Sequence, residues 1–123
     1  MSEPTDSAFF RIERDESVAR VCVVPERITD EDNVEQFGQG LIDLIETRGV
    51  RNLLVNVRGL RYVTSSVLGK LIFVHRRLDR DDGTMVLTGI GPELMDIMEA
   101  TRLTTLFHIA ETPADAESML EAA

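Results

Sequence analysis

The 123-residue chain is poor in the side chains that build metal and cofactor sites. It has one cysteine, two histidines and no tryptophan, and aromatic residues make up 5% of it. A single cysteine excludes a disulfide within the chain. Two histidines without a carboxylate at ligand spacing do not form a metal site. We therefore expect no metal and no cofactor.

Long apolar runs and targeting signals are also missing. No apolar stretch approaches the length of a membrane span, and residues 1–6 lack the basic and apolar regions of a signal peptide. We therefore expect a cytosolic protein with no membrane insertion. The net charge of −9 argues against general nucleic-acid binding. The glycine-rich phosphate loops of nucleotide-binding folds are absent as well.

Positive charge is scarce outside the middle third of the chain. Residues 48–80 hold eight basic residues and one acidic residue, whereas residues 1–47 hold four basic and twelve acidic residues. Residues 81–123 hold one basic and nine acidic residues. Solvated helix and loop faces account for most such charges. Alternatively, the middle third forms a positive patch that attracts an anionic group or an acidic partner surface.

The chain does contain a regular alternation of apolar strands and amphipathic helices. Strands are predicted over residues 8–14, 18–24, 52–57, 84–88 and 106–109, and helices begin near Thr29, Ser65, Pro92 and Pro113. This order predicts one α/β domain over residues 8–123, with a mixed, mostly parallel sheet of about five strands and about four helices. Residues 1–7 are predicted to be a flexible N-terminal tail. We expect a small buried thiol at Cys22 and core positions at Leu54, Val55, Leu68, Leu71 and Ile72.

Two adjacent hydroxyls, Ser65 and Ser66, follow Thr64 where a loop turns into the second helix. A helix N-terminus presents unpaired N–H groups and a partial positive charge. A hydroxyl placed there can cap the helix. It can also accept a phosphate group, since the helix terminus stabilises the phosphorylated form. The residues alone leave both interpretations open.

Catalysis by these hydroxyls lacks a base. His75 lies about three turns along the same helix on its apolar face, and His108 falls in a short strand. Neither is placed to activate Ser65, and the G-x-S-x-G elbow is absent. We expect both histidines to be core or edge residues, and we expect no catalytic residue and no enzyme activity.

The outward face of the second helix has the composition of a protein contact surface. Arginine and an aromatic residue around an apolar centre are typical of interfaces, although Phe73 could instead pack under a neighbouring loop. Four residues recur at helical spacing on this face, and two valines flank Phe73. The predicted partner-binding residues are Thr64, Ser66, Val67, Lys70, Phe73, Val74 and Arg77.

The segment Thr64-Ser65-Ser66-Val67-Leu68-Gly69 resembles the motif Asp-Ser-Ser/Thr-Gly-Leu-Gly of STAS domains in the anti-sigma factor antagonist family. The segments over residues 83–87 and 103–107 also resemble later parts of that family, so the likeness extends over residues 9–120. Two residues depart from the motif. Thr64 replaces the family aspartate, and Val67 replaces the family glycine.

The resemblance implies a STAS-like fold and a non-enzymatic switch. In that family an ATP-dependent serine kinase, which is also the anti-sigma factor, phosphorylates the first hydroxyl after the aspartate. That hydroxyl corresponds to Ser65, with Ser66 and Thr64 as fallback acceptors. The unphosphorylated form binds the kinase, the phosphorylated form is released, and a phosphatase resets it. STAS-like domains also serve as constitutive interaction modules in stress-signalling assemblies or beside transporters, without phosphorylation.

Overall fold

The computed structural model describes residues 3–6, 9–15 and 17–121. The five predicted strands and four predicted helices are all present, within a single α/β domain. A short 3-10 helix (Leu103–Thr105) and one further strand accompany them. In chain order the strands and α-helices are β1 (Glu3–Asp6), β2 (Phe10–Asp15), β3 (Val18–Val23), α1 (Glu31–Glu46), β4 (Asn52–Asn56), α2 (Ser65–Arg80), β5 (Thr84–Thr88), α3 (Pro92–Ala100), β6 (His108–Ala110) and α4 (Pro113–Glu121).

The six strands form one sheet whose spatial order is the order of the chain, β1-β2-β3-β4-β5-β6. The first three strands pair antiparallel, and β3 to β6 pair parallel. Parallel neighbours need a crossover, and α1, α2 and α3 supply the three crossovers. The sheet is therefore mixed and mostly parallel, as the sequence predicts.

The segment predicted to be a flexible tail contains a strand. Glu3–Asp6 forms β1 and pairs antiparallel with β2, from Glu3 opposite Arg14 to Asp6 opposite Arg11. Without it, β2 would present a row of unpaired backbone groups at the sheet edge. A proline is tolerated in such an edge strand. The described sheet thus has six strands where the sequence predicts about five, and the other residues of the predicted tail lie outside the described ranges.

The sheet separates two hydrophobic clusters. Leu53 and Val55 of β4 face the larger cluster, which α1, α2 and α3 cover, whereas Leu54 faces a smaller one beneath α4. This division follows from the alternation of side chains along a strand. The expected core residues Leu54, Val55, Leu68 and Leu71 are buried. The fifth, Ile72, is only partly buried and packs against the rim of the larger cluster.

Cys22 is exposed, so the prediction of a buried thiol is wrong. In β3, Ala19, Val21 and Val23 face the larger cluster, and Cys22 points to the opposite face. The small cluster under α4 draws its strand residues from β4, β5 and β6 only. That face of β3 is therefore left open at Cys22.

Candidate functional site

The loop after β4 turns into α2 at Thr64. This residue has extended backbone angles (φ −96°, ψ 162°), and its hydroxyl oxygen accepts a hydrogen bond from the Val67 N–H at 3.3 Å. Its carbonyl accepts the first intrahelical bond, from the Leu68 N–H at 3.1 Å. Thr64 is therefore the N-cap of α2, a position where threonine and aspartate both serve well.

Ser65 and Ser66 are the first two residues of α2, and both are exposed. The Ser65 hydroxyl makes no hydrogen bond within the part of the chain that the structure describes. Because Thr64 performs the capping, Ser65 is not needed to hold the helix end. Its hydroxyl stands in solvent beside N–H groups that have no partner within the helix.

Ion pairs with α1 hold two of the predicted partner-binding residues. Lys70 Nζ lies 2.5 Å from Glu35 Oε1. Arg77 Nη1 lies 2.6 Å from Glu46 Oε1, and Arg77 Nε lies 3.2 Å from Asp81 Oδ2. These hydrogen bonds raise the pKa of Arg77 above its ordinary value. Both side chains are thus oriented along the seam between α1 and α2.

Val67 and Val74 are fully buried, at 0% exposure, so their prediction as partner-binding residues is wrong. The two residues are seven positions apart, and they lie on the same flank of α2, the one that packs beside α1. That flank adds to the stripe of Leu68, Leu71 and His75 that faces the sheet. A helix with a neighbour on one side buries a wider face than a helix lying on a sheet alone.

The outward face of α2 is consequently narrower than predicted, and Phe73 is its centre. The Phe73 side chain is 58% exposed and does not pack under a loop. Beside it, the first turns of α1 and α2 enclose a cleft of about 690 Å³ with two carboxylates on its α1 side. The cleft is lined by Thr29, Glu31, Val34, Glu35, Ser66, Gly69, Lys70 and Phe73.

Tyr62 and Arg27 were not identified from the sequence as site residues, yet they adjoin the start of α2. Tyr62 is 54% exposed, and the Arg27 guanidinium carbon lies 4.5 Å from the centre of its ring. A parallel bridge joins the two residues. The only hint of this pair in the sequence is the single tyrosine of the chain, which lies two residues before the N-cap of α2. Its arginine partner lies far away in sequence, so only the fold shows the pair.

The histidines lie far from Ser65. His75 is 8% exposed, and its ring centre lies 5.6 Å from that of Phe107 and 5.9 Å from that of His108. Burial lowers the pKa of His75, and the adjacent His108 lowers it further. Ten helical residues separate His75 from Ser65, about 15 Å along the axis. His75 is thus a core residue and His108 an exposed edge residue, and neither can activate the Ser65 hydroxyl.

Among the described residues, no three histidine, cysteine, aspartate or glutamate side chains are grouped to hold a metal ion. Across residues 3–6, 9–15 and 17–121, no helix combines the length and apolar character needed to cross a bilayer.

A family model of the STAS domain matches residues 12–116. The chain belongs to the STAS-domain family. The match spans this STAS domain from β2 to α4 and includes Thr64, Ser65 and Ser66. The element order described above is therefore that of a family member.

Solved structures share the fold of this STAS domain. An anti-sigma factor antagonist from Mycobacterium paratuberculosis is 19% identical, with a TM-score of 0.76 over 91% of this chain and 92% of its own. The phosphorylated form of the Bacillus cell fate determinant SpoIIAA is 21% identical, with a TM-score of 0.68 over 89% and 97%. A chain from the stressosome, a signal integration and transduction hub, is 20% identical, with a TM-score of 0.68 over 90% and 96%. At these identities the likeness concerns the fold.

Proposed function

We propose that this STAS domain is a non-enzymatic regulatory switch of the anti-sigma factor antagonist type. Its unphosphorylated form binds a serine kinase that is also an anti-sigma factor, and phosphorylation at Ser65 releases that partner. A phosphatase restores the binding form. The observation that carries the proposal is the exposed Ser65 hydroxyl at the first position of α2, next to a Thr64 that already caps the helix.

The physical chemistry of the helix end supports this role. A phosphate group on Ser65 would add about −1.5 to −2 charges. The N-terminus of α2 tolerates that charge, because its free N–H groups and macrodipole favour an anion. A partner surface that docks closely over Ser66 and Phe73 would instead have to remove water from the phosphate group, which costs free energy. Phosphorylation therefore weakens docking without unfolding the domain.

The docking surface that we propose consists of Thr64, Ser66 and Phe73, flanked by Lys70 and Arg77. Phe73 supplies the apolar anchor, since aromatic residues, including phenylalanine, are enriched at the cores of protein interfaces. Lys70 and Arg77 contribute at the rim, because their ion pairs with α1 already fix their orientation.

The test begins with tandem mass spectrometry of the protein isolated from its own cells, asking whether residues 64–66 carry phosphate. The kinase is then captured with wild type and with Ser65→Ala, Ser65→Asp and Ser66→Ala. We expect phosphate on Ser65, stable capture by wild type, Ser65→Ala and Ser66→Ala, and loss of capture by Ser65→Asp. Phosphate found only on Ser66 or Thr64 would show that one of these residues, and not Ser65, is the phosphate acceptor.

A constitutive interaction module is the second candidate, favoured by the likeness to a stressosome chain. It predicts that Ser65→Ala and Ser65→Asp bind the partner equally well and that residues 64–66 carry no phosphate under growth or stress. That outcome would contradict the switch.

A further inference from the structure

The face of the sheet that carries α4 is only half covered. Helix α4 packs over β4, β5 and β6 and reaches β3 through the ion pair between Glu117 and Arg20, and the rest of the same face of β2 and β3 is open. On this open half Arg11 and Cys22 are directly opposite each other in the β2–β3 pairing, and both are exposed. At the carboxyl end of β3, Val24 is 45% exposed. The end of the open half that lies near Val24 thus presents cationic and apolar side chains together, whereas Glu13 lies opposite Arg20 further along the two strands.

The loop over residues 57–62 borders this open half, and its backbone is fixed at several points. The Arg58 N–H donates to Asn56 Oδ1 at 2.9 Å, and the Arg61 N–H donates to the Glu26 carbonyl at 2.8 Å. A Cβ at Gly59 would lie 2.9 Å from the Val23 carbonyl oxygen, so glycine lets the loop lie directly on the end of β3. The two arginines of this loop therefore extend from a rigid support.

Three arginines line one cleft of about 490 Å³ between this loop and the open strands: Arg11, Arg58 and Arg61. Glu26 is the only acidic residue among its lining residues. Arg61 Nε lies 3.9 Å from Glu26 Oε1 with both side chains mostly exposed, which is a weak pair. Arg58 has no carboxylate partner among the described residues, and Arg11 lies opposite Asp6 in the β1–β2 pairing. The cleft is cationic in a protein whose net charge is −9.

The cleft continues in two directions. Arg58 and Arg61 also line a cleft of about 640 Å³ that reaches the start of α3. Arg11 and Cys22 also line one of about 340 Å³ that reaches Leu54 and the start of α4. The combined surface is elongated, and its guanidinium groups are concentrated in the central cleft of about 490 Å³, because Glu93 lines the first extension and Glu13 and Glu117 line the second. This shape suits an extended chain better than a compact ligand.

We propose that this arginine surface, formed by Arg11, Cys22, Val24, Arg58 and Arg61, binds an extended acidic segment of a partner protein. Carboxylates of the segment pair with the guanidinium groups, which can donate two parallel hydrogen bonds each. Apolar side chains of the segment cover Val24 and the open strands. The fixed loop lowers the entropic cost of ordering the arginines on binding. The proposal does not depend on phosphorylation of Ser65.

The test uses a fluorescein-labelled synthetic peptide, Asp-Glu-Leu-Glu-Asp-Val-Glu-Glu, titrated with the full chain in a fluorescence anisotropy assay. The triple variant Arg11→Gln, Arg58→Gln, Arg61→Gln removes the cationic cleft. The matched control Arg48→Gln, Arg80→Gln, Arg102→Gln changes the net charge equally at exposed arginines elsewhere. We expect the first variant to lose at least about tenfold in affinity and the control to lose less than about twofold. Circular dichroism checks that both variants are folded.

Chemical-shift mapping by NMR locates the bound peptide. We expect the largest changes at Cys22, Val24 and Gly59, and unchanged binding by Ser65→Ala. The proposal is overturned if both triple variants lose affinity equally, if the changes centre on Phe73, or if no binding occurs at low salt. Stronger binding of inorganic pyrophosphate than of peptide, or self-association through this surface in sedimentation equilibrium, would also overturn it.

Discussion

At the scale of single residues, Thr64 separates two roles that an aspartate would combine. Its side-chain oxygen caps α2 through the Val67 N–H. An aspartate would cap equally well and would also add a negative charge beside Ser65. The threonine keeps the helix start intact and leaves the hydroxyl in a less negative setting. Exchanging threonine and aspartate at position 64 would therefore preserve the helix cap and change only the charge beside Ser65.

His75 makes the stability of the domain depend on pH. Its pKa is lowered in the folded state by burial, then by His108, and Arg76 lowers it slightly while Asp79 opposes the shift. The unfolded chain therefore takes up a proton near pH 6.5, whereas the folded chain resists it. The contribution of His75 to stability is complete above that pH, is lost as the pH falls from there to the lowered pKa, and changes no further below it. We expect the midpoint temperature of thermal unfolding to decrease as the pH is lowered from 8 to 5.5.

The control is His75→Leu, which removes the titrating group and its unpartnered Nδ1 atom. Its thermal midpoint should fall less than that of wild type over the same pH range. Equal slopes for the two proteins, measured by differential scanning calorimetry, would show that His75 is not the responsible group.

Cys22 illustrates what the sequence could not provide at this scale. The run Val21-Cys22-Val23-Val24 is typical of a strand buried on both faces. Whether the second face is covered depends on how far α4 extends across the sheet. That distance is set by tertiary packing and not by the residues of β3 themselves.

At the scale of elements, α2 divides sharply into a core face and an outward face. Leu71 is 2% exposed in the larger cluster, and Phe73, two residues away, is 58% exposed. We expect Leu71→Ala to lower the free energy of unfolding by about 2–5 kcal/mol, because it leaves a cavity among close-packed side chains. Phe73→Ala should lower it by less than about 1 kcal/mol. Urea unfolding measures both values.

A Phe73→Ala loss as large as that of Leu71→Ala would mean that Phe73 belongs to the core. It would remove the basis for using Phe73 as a partner anchor. If Phe73→Ala retains stability but loses capture of the kinase, folding and docking are assigned to different faces of the same helix.

The four helices and five of the six described strands were predictable in type and order because apolar spacing carries that information. The buried positions Val67 and Val74 were not, since they depend on α1 lying beside α2. Strand β1 has the polar sequence Glu-Pro-Thr-Asp, which shows no apolar alternation. It pairs antiparallel along the free edge of β2. The Ser65 site was located by its motif, whereas the α1 wall of its cleft required the fold.

At the scale of the whole molecule, the helices on the two faces of the sheet bury very different numbers of residues. Seven residues of α1 and six of α2 are buried, but only Ala116 and Leu120 of α4 are. The ion pair between Arg20 and Glu117 adds a polar link to the sheet. We expect amide protons of α4 to exchange at least about tenfold faster than those of α2, because local opening of α4 exposes less apolar surface.

Hydrogen exchange followed by mass spectrometry or NMR measures this difference. Glu117→Gln should increase the exchange of α4 further and leave α2 unchanged. Equal protection of the two helices would show that α4 opens only when the whole domain unfolds.

The agreement between strand order in the sheet and strand order in the chain also has a consequence for synthesis on the ribosome. Each strand that emerges pairs with the one made just before it, at the growing edge. No strand has to wait for a later one or be inserted between two that are already placed. The domain can therefore assemble progressively along the chain, because each parallel pairing requires only the crossover helix that directly precedes the new strand.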